Sequence, residues 1–206
     1  KINFNVDDPD LLFVGIWDHL GAITADGGYT WTHLATDNNQ NLYIHSTGAY
    51  AVSPSFLVTG ASEAYTSGPR YLRYSTNGGQ SFITRTDIQL NKQHSVSYGF
   101  PGDTSIAFCH DYRTEDGGQS WTQMNNCSGV FGHYEDNGTT VLYGADGRDL
   151  VTSIDKGINW TTIHTVGDSI IDLQYDSINE LYYICFLNNL VTYNGFFETN
   201  LTSRLP

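Results

Sequence analysis

The chain has 206 residues, with 22 acidic against 9 basic side chains and a formal charge of −13, so a phosphate backbone would be repelled and nucleic acid is excluded as a partner. Its 14 Tyr, 10 Phe, 4 Trp and 21 Gly, beside only 15% charged residues, suit twisted β-structure with tight turns rather than helices. No apolar run reaches the roughly 18 residues of a membrane span, and the length fits one domain over 1–206.

From the N-terminus, a strand-like INFNV leads through the turn DDPD into the apolar run LLFVGIW at 11–17. The box TADGGYTW at 24–31 and the segment WTHLAT follow. The same order recurs as NLYIHS, SFLVTGA at 55–61, the box STNGGQSF at 75–82 and FITRTD. It recurs again as HSVSYGF, SIAFCH at 105–110, TEDGGQSW at 114–121 and WTQM. A fourth round runs through SGVFGHY, TVLYGA at 140–145, SIDKGINW at 153–160 and WTTIHTV. The fifth has IIDLQY, LYYICF at 181–186 and an eroded box, LVTYNGFF. Asn77 follows Asp26 by 51 residues, while Asp116, Asp155 and Asn194 each follow the preceding box by 39. Four β-branched and aromatic runs per unit, at a period of about 40, are the mark of propeller blades. The predicted fold is therefore all-β: a β-propeller of four-stranded antiparallel blades, five in this chain, over about 1–36, 37–88, 89–125, 126–165 and 166–206. An arc of a larger propeller, completed by further sequence, is the alternative.

Within each blade the strands, A to D, put the box in the C–D hairpin. An Asp or Asn there accepts hydrogen bonds from backbone N–H groups two or three residues on, glycine supplies positive φ, and the ring at the end of the box packs between blades. The structural set is Asp26, Gly28 and Trp31; Asn77, Gly79 and Phe82; Asp116, Gly118 and Trp121; Asp155, Gly157 and Trp160.

These motifs resemble the Asp-box, or BNR, repeat S/T-x-D-x-G-x-S/T-W/F, matched at Thr24, Asp26, Gly28, Thr30 and Trp31 and again at Thr114, Asp116, Gly118, Ser120 and Trp121. The second box substitutes Asn77 and Phe82, and the fourth has Asn159 at the Ser/Thr position. Sialidases, xyloglucan-cleaving hydrolases, sortilin-type receptors and photosystem assembly factors carry such boxes, so the resemblance implies architecture and leaves activity open.

The meander puts B–C turns and D–A connections at the end opposite the boxes, where a ligand is expected. The candidates there are Asp18, His19, Tyr65, Arg70, His110, Asp111, Tyr112, Arg113, Asp146, Arg148 and Asp149. The longer second blade carries its extra residues mainly in ASEAYTSGPR, which marks that loop for a specialised contact or a tolerated insertion. No catalytic residue is assigned. A sialidase-like site needs three converging arginines, and Arg73 and Arg85 lie on strands of one blade. An inverting glycosidase needs carboxyls roughly 6.5–9.5 Å apart, for which Asp18, Asp111, Asp146 and Asp149 are available without the family's surrounding signature.

No metal or cofactor is expected. Asp7, Asp8 and Asp10, and Asp146 with Asp149, lack a calcium-loop spacing, and GADGR lacks the strand-to-helix setting of a phosphate loop. Cys109, Cys127 and Cys185 show no zinc pattern. With Cys109 ending strand B and Cys127 following strand D of the same blade, two strand spacings of about 4.8 Å exceed the roughly 7 Å reach of a disulfide, so all three are expected to be reduced. The reading is a non-catalytic binding or scaffold propeller recognising glycan or protein, with a glycoside hydrolase as the alternative. Abundant Asn, Thr, Ser, Tyr and Gly resembles the make-up of extracellular or virion-surface proteins. A start on Lys1 without a signal-peptide pattern fits a piece of a larger chain or assembly.

Overall fold

The computed structural model describes residues 2–16, 19–34, 45–62, 69–90, 96–186, 189–195 and 198–200. It is all-β, with five four-stranded antiparallel sheets, the blades of a β-propeller, each in simple sequential strand order. Blade 1 holds β1 (Ile2–Phe4), β2 (Leu12–Ile16), β3 (His19–Thr24) and β4 (Thr32–His33). Blade 2 holds β5 (His45–Ala51), β6 (Leu57–Ser62), β7 (Arg70–Ser75) and β8 (Ile83–Leu90). Blade 3 holds β9 (Ser97–Gly99), β10 (Ala107–Cys109), β11 (Tyr112–Thr114) and β12 (Thr122–Gln123). Blade 4 holds β13 (Gly129–Asp136), β14 (Thr139–Asp146), β15 (Asp149–Ser153) and β16 (Thr161–Thr165). Blade 5 holds β17 (Ile170–Asp176), β18 (Leu181–Phe186), β19 (Asn189–Tyr193) and β20 (Glu198–Asn200). Among the described residues no helix is long and apolar enough to cross a membrane.

Two compact units divide the chain, Lys1–Gln123 with blades 1 to 3 and Met124–Pro206 with blades 4 and 5. In the first unit the alternation of β5 decides which residues meet which blade. Ala49 and Ala51 join Leu11, Phe13, Ile23 and Leu34 of blade 1, while Tyr50 and Val52 turn the other way, into a cluster with Ala107 and Cys109 of blade 3. Such period-two sorting is what a sheet buried on both faces requires. Small residues on one side let blade 1 approach closely enough for amides to cross. The Asn5 amide donates to the carbonyls of Ala51 (2.8 Å) and Val52 (3.0 Å), and Asn3 donates to Ala49 O. On the opposite side of β1, Ile2 and Phe4 are exposed. The second unit has its own core, in which Tyr143, Ala145 and Leu150 of blade 4 pack with Ile170, Leu173, Ile184 and Val191 of blade 5.

All four boxes sit in C–D hairpins, and their geometry corrects one detail of the sequence reading. The glycine amide two residues on from the Asp or Asn is taken by the Ser or Thr that opens each box, and the box Asp draws its bonds from three and four residues on. Thr114 Oγ1 accepts from Gly118 N (3.0 Å) and donates to Asp116 Oδ1 (2.8 Å). Asp116 reaches four residues on, accepting from Ser120 N (2.9 Å) and the Ser120 hydroxyl (2.6 Å). Thr24, Ser75 and Ser153 repeat the first pattern with Gly28, Gly79 and Gly157, all within 3.0 Å. These four hydroxyls are buried, which an oxygen tolerates when it is both donor and acceptor. The other box amide reaches back to its own A–B turn: Gly27 N donates to Asp10 O, Gly78 N to Ser55 O and Gly117 N to Ser105 O, at 2.9–3.0 Å.

A second correction concerns Trp31. The rings of Phe82 and Trp160 are buried and Trp121 is half-buried, but Trp31 remains 41% exposed. Phe82 packs on Leu11 and Leu34 of blade 1, and Trp121 leans on Tyr74 of blade 2 with ring centroids 6.2 Å apart. Phe82 and Trp121 thus each use the preceding blade of their own unit, and blade 1 has none before it there. Trp31 keeps the bond within the hairpin that Trp121 and Trp160 also make, donating from Nε1 to Gly28 O at 3.0 Å.

The box carboxylates make stability acid-sensitive. The Thr30 hydroxyl, the Thr30 N–H and the Thr24 hydroxyl pull Asp26 down from 3.8 to about 2. At Asp116 burial pushes upward, but the hydrogen bonds from Ser120 and Thr114 outweigh it, and Asp155 is lowered in the same way by Asn159 and Ser153. A folded-state pKa below the unfolded value gives stability that is full above about pH 4 and is lost as the pH falls through the folded value. Melting temperature is therefore expected to drop between about pH 4 and pH 2. Asp116→Asn, which copies Asn77 of the second box, should melt close to wild type at neutral pH and show a shallower acid limb. Identical acid limbs in the two proteins would remove the box carboxylates from this account.

Candidate functional site

The end of the first unit opposite its boxes is built by the turn between β10 and β11. Its first residue, His110, is buried and sits at φ 54°, with its N–H on Val96 O at 2.9 Å, so the turn is tied to the connection from blade 2. Asp111 follows, and its Oδ2 accepts from Gln123 Nε2 of strand D at 2.8 Å. Arg113 Nη1 donates to Glu115 Oε2, two residues along, at 2.8 Å. In blade 2 Arg85 pairs with Asp87 through two bonds of 2.9 and 2.7 Å. Residues two apart on extended chain share a face, so Arg85 meets a carboxylate of its own strand and Arg113 one just past the end of β11. Between the blades stands Tyr112, half-buried, its phenol raised by burial and then by the charges of Asp111 and Asp87.

Arg70 opens β7, opposite Ser62 and Leu90, and is half-buried. His19 opens β3, opposite Ile16. Its side chain, Asp18 and Tyr65 lie outside the described residues. Below this end Cys109 is fully buried and its thiol is pushed up to about 12 by burial, with the Ser97 hydroxyl pulling the other way. All three cysteines are free thiols.

In the second unit the β14–β15 turn carries the other candidates. Asp146 and Asp149 stand opposite each other as the last pair of the ladder, with Gly147 and exposed Arg148 between them. The carbonyls of Arg148 and Gly147 accept from Val166 N (3.0 Å) and Ile170 N (2.8 Å), and Asp149 Oδ1 accepts the Thr165 hydroxyl at 2.6 Å. The turn is thus bolted to the connection into blade 5, and Asp149 belongs to that bolt. Among the described residues no group of three His, Cys, Asp or Glu side chains is arranged to hold a metal ion.

Sequence reasoning passed over two features at the box end. In the first unit a depression of about 390 Å³ lies between blades 1 and 2, lined by Ile23, Asp26, Thr30, Thr32, Pro54 and Gly78. In the second unit four tyrosines gather beside the A–B turns. Tyr134 and Tyr175 stack with centroids 4.2 Å apart at 30°, Tyr182 tilts against Tyr175 at 4.7 Å, and Tyr143 meets Tyr182 edge-on at 5.8 Å. The Tyr182 hydroxyl reaches Tyr134 Oη at 3.3 Å, and Tyr143 Oη accepts from Tyr175 N at 3.4 Å. A sequence signal existed: Tyr134 and Tyr175 each stand just before the acidic, Asn-containing A–B turn of their repeat.

No family model matches the chain, and no curated protein matches it. Solved structures do. The chain is similar to YCF48 from Cyanidioschyzon merolae, at 15% identity and a TM-score of 0.51 over 97% of this chain and 69% of that one. It is similar to the GH74 xyloglucanase from Xanthomonas campestris at 14% identity and a TM-score of 0.66, covering 100% of this chain and 37% of the enzyme. It is also similar to YCF48 in a complex described as bound to D1 peptide, at 13% identity and a TM-score of 0.52 over 95% of this chain and 68% of that one. Identities this low show the β-propeller fold alone.

Proposed function

We propose that the chain is a non-catalytic binding or scaffold module of the Asp-box propeller type, presented on an extracellular or virion surface, whose partner is a protein. The observation that carries this reading is that polar side chains of the turns expected to hold substrate are already bonded within the fold. Asp26, Asp87, Asp116, Asp155 and Asp176, the described carboxyls that depart from their ordinary value, are all lowered. A glycosidase needs one carboxyl held protonated as its acid, which burial among apolar groups or a second carboxylate would raise. At the turns expected to hold substrate, Asp111, Arg113 and Asp149 are already engaged by Gln123, Glu115 and Thr165. The similarity to YCF48 bound to a peptide is compatible with a propeller that grips protein.

Incubation with xyloglucan and with a fluorogenic sialoside is expected to release no sugar. Release that disappears in Asp111→Asn or Asp149→Asn would overturn the proposal in favour of a hydrolase.

A further inference from the structure

We infer that the box end of blades 4 and 5 is a docking surface for a basic peptide segment, with the Tyr134–Tyr175 stack as its anchor and the exposed carboxylates of Asp136 and Glu180 as its charge complement. The inference rests on the binding-module reading and moves its working surface to the end opposite the one the sequence suggested.

Apolar exposure is the first support. Ile178 in the β17–β18 turn is 91% exposed, and Ile154 and Ile158 in the β15–β16 hairpin are 72% and 59% exposed. Tyr134 and Tyr175 add two half-buried, stacked rings at the same end. Single exposed side chains are ordinary, but aromatic and aliphatic groups gathered at one end mark an interaction surface.

Charge selects the occupant. Asp136 closes β13 and Glu180 precedes β18, so each A–B turn presents an exposed carboxylate beside the rings, while Asp176 is held within its turn by Ile178 N, Asn179 N and the Asn179 amide. Their field reaches Tyr175: burial raises its phenol first, and the charges of Glu180, Asp136 and Asp176 add to that. A guanidinium or ammonium placed on an aromatic face is attracted by the ring, and here by the surrounding carboxylates as well. The π-face also offers a flat surface on which Arg stacks better than Lys. The chain's formal charge of −13 steers such a segment inward and repels acidic ones.

The test uses the whole chain and a fluorescein-labelled Arg/Gly peptide, with a Glu/Gly peptide as its counterpart, read by anisotropy at low and high salt. Wild type should bind the Arg/Gly peptide, ignore the Glu/Gly peptide and weaken with salt. Asp136→Asn combined with Glu180→Gln, both exposed, should weaken binding about tenfold. Tyr175→Ala should weaken it about as much, while Tyr175→Phe, which keeps the ring face, stays within about threefold of wild type. Asp168→Asn, the loss of a single carboxylate on the connection between β16 and β17, is the control and should change little. A melting curve on each variant separates lost binding from lost fold.

Equal binding of both peptides, or binding indifferent to Tyr175→Ala and to the Asp136/Glu180 pair, would overturn the inference. So would no binding of the Arg/Gly peptide up to about 1 mM, an affinity worth only about 4 kcal/mol. In that last case capture of a glycan without its cleavage would leave the non-catalytic part of the proposed function standing and replace its protein partner, whereas sugar release in the hydrolysis assay would strike the binding-module reading alone.

Discussion

Gly118→Ala is expected to lower the melting temperature by roughly 5–15 °C, and Gly117→Asn, one residue earlier in the same hairpin, by less than about 3 °C. Both glycines have positive φ, +91° and +69°. A Cβ on Gly118 would lie 2.9 Å from Tyr74 Cδ2 and 3.0 Å from Phe56 Cε2, two rings of blade 2 that cannot both retreat. Left-handed backbone costs Ala about 1–2 kcal/mol and overfilling a packed site about 1–3 kcal/mol more. Around Gly117 nothing lies within 4 Å, and Asn tolerates left-handed φ. The fourth box makes the same exchange naturally, with Lys156 in the equivalent position at φ 61°. Thermal melts of the two variants would reject this division of labour if they shifted together.

Truncating the rings at the ends of the boxes should separate them by as much as their exposure does. Phe82→Ala is expected to cost about 3–5 kcal/mol, because its ring fills the seam among Leu11, Phe13, Leu34 and Leu57. Trp31→Ala should cost about 1 kcal/mol or less, since the ring is 41% exposed and bonds only within its own hairpin. The larger side chain is thus the cheaper one to lose. Urea unfolding midpoints settle the order, and a Trp31 variant as unstable as the Phe82 variant would mean that the indole is covered.

Blade architecture was legible because it repeats: every box fell between strands C and D, and the apolar runs at 55–61, 140–145 and 181–186 became β6, β14 and β18 nearly residue for residue. What a single box could not disclose was the role of its first residue. Thr24 and Ser153 look like ordinary turn polar groups, and only their burial shows that their hydroxyls organise the hairpin. Trp31 has the same motif as Trp121, and its exposure depends on a neighbouring blade that its own eight residues do not encode. At the expected ligand end, position was readable but engagement was not. Arg113 and Asp111 are close to Glu115 and Gln123 only because strand pleat and the β11–β12 pairing bring them there. Tyr134 and Tyr175 come from different repeats and meet only when their blades stack.

The sequential strand order of each sheet has a consequence for how the chain reaches its native state. Among the described residues every strand ladder joins strands of one repeat, so ladder pairing can be completed within one stretch of sequence before the next begins. Short loops close at low entropic cost, and proteins dominated by local pairing fold faster than those that must first bring distant segments together. During synthesis each blade can pair its four strands as soon as its last one leaves the ribosome, leaving the later, slower steps to side chains such as Asn5, Phe82 and Tyr175 that cross from one blade to the next.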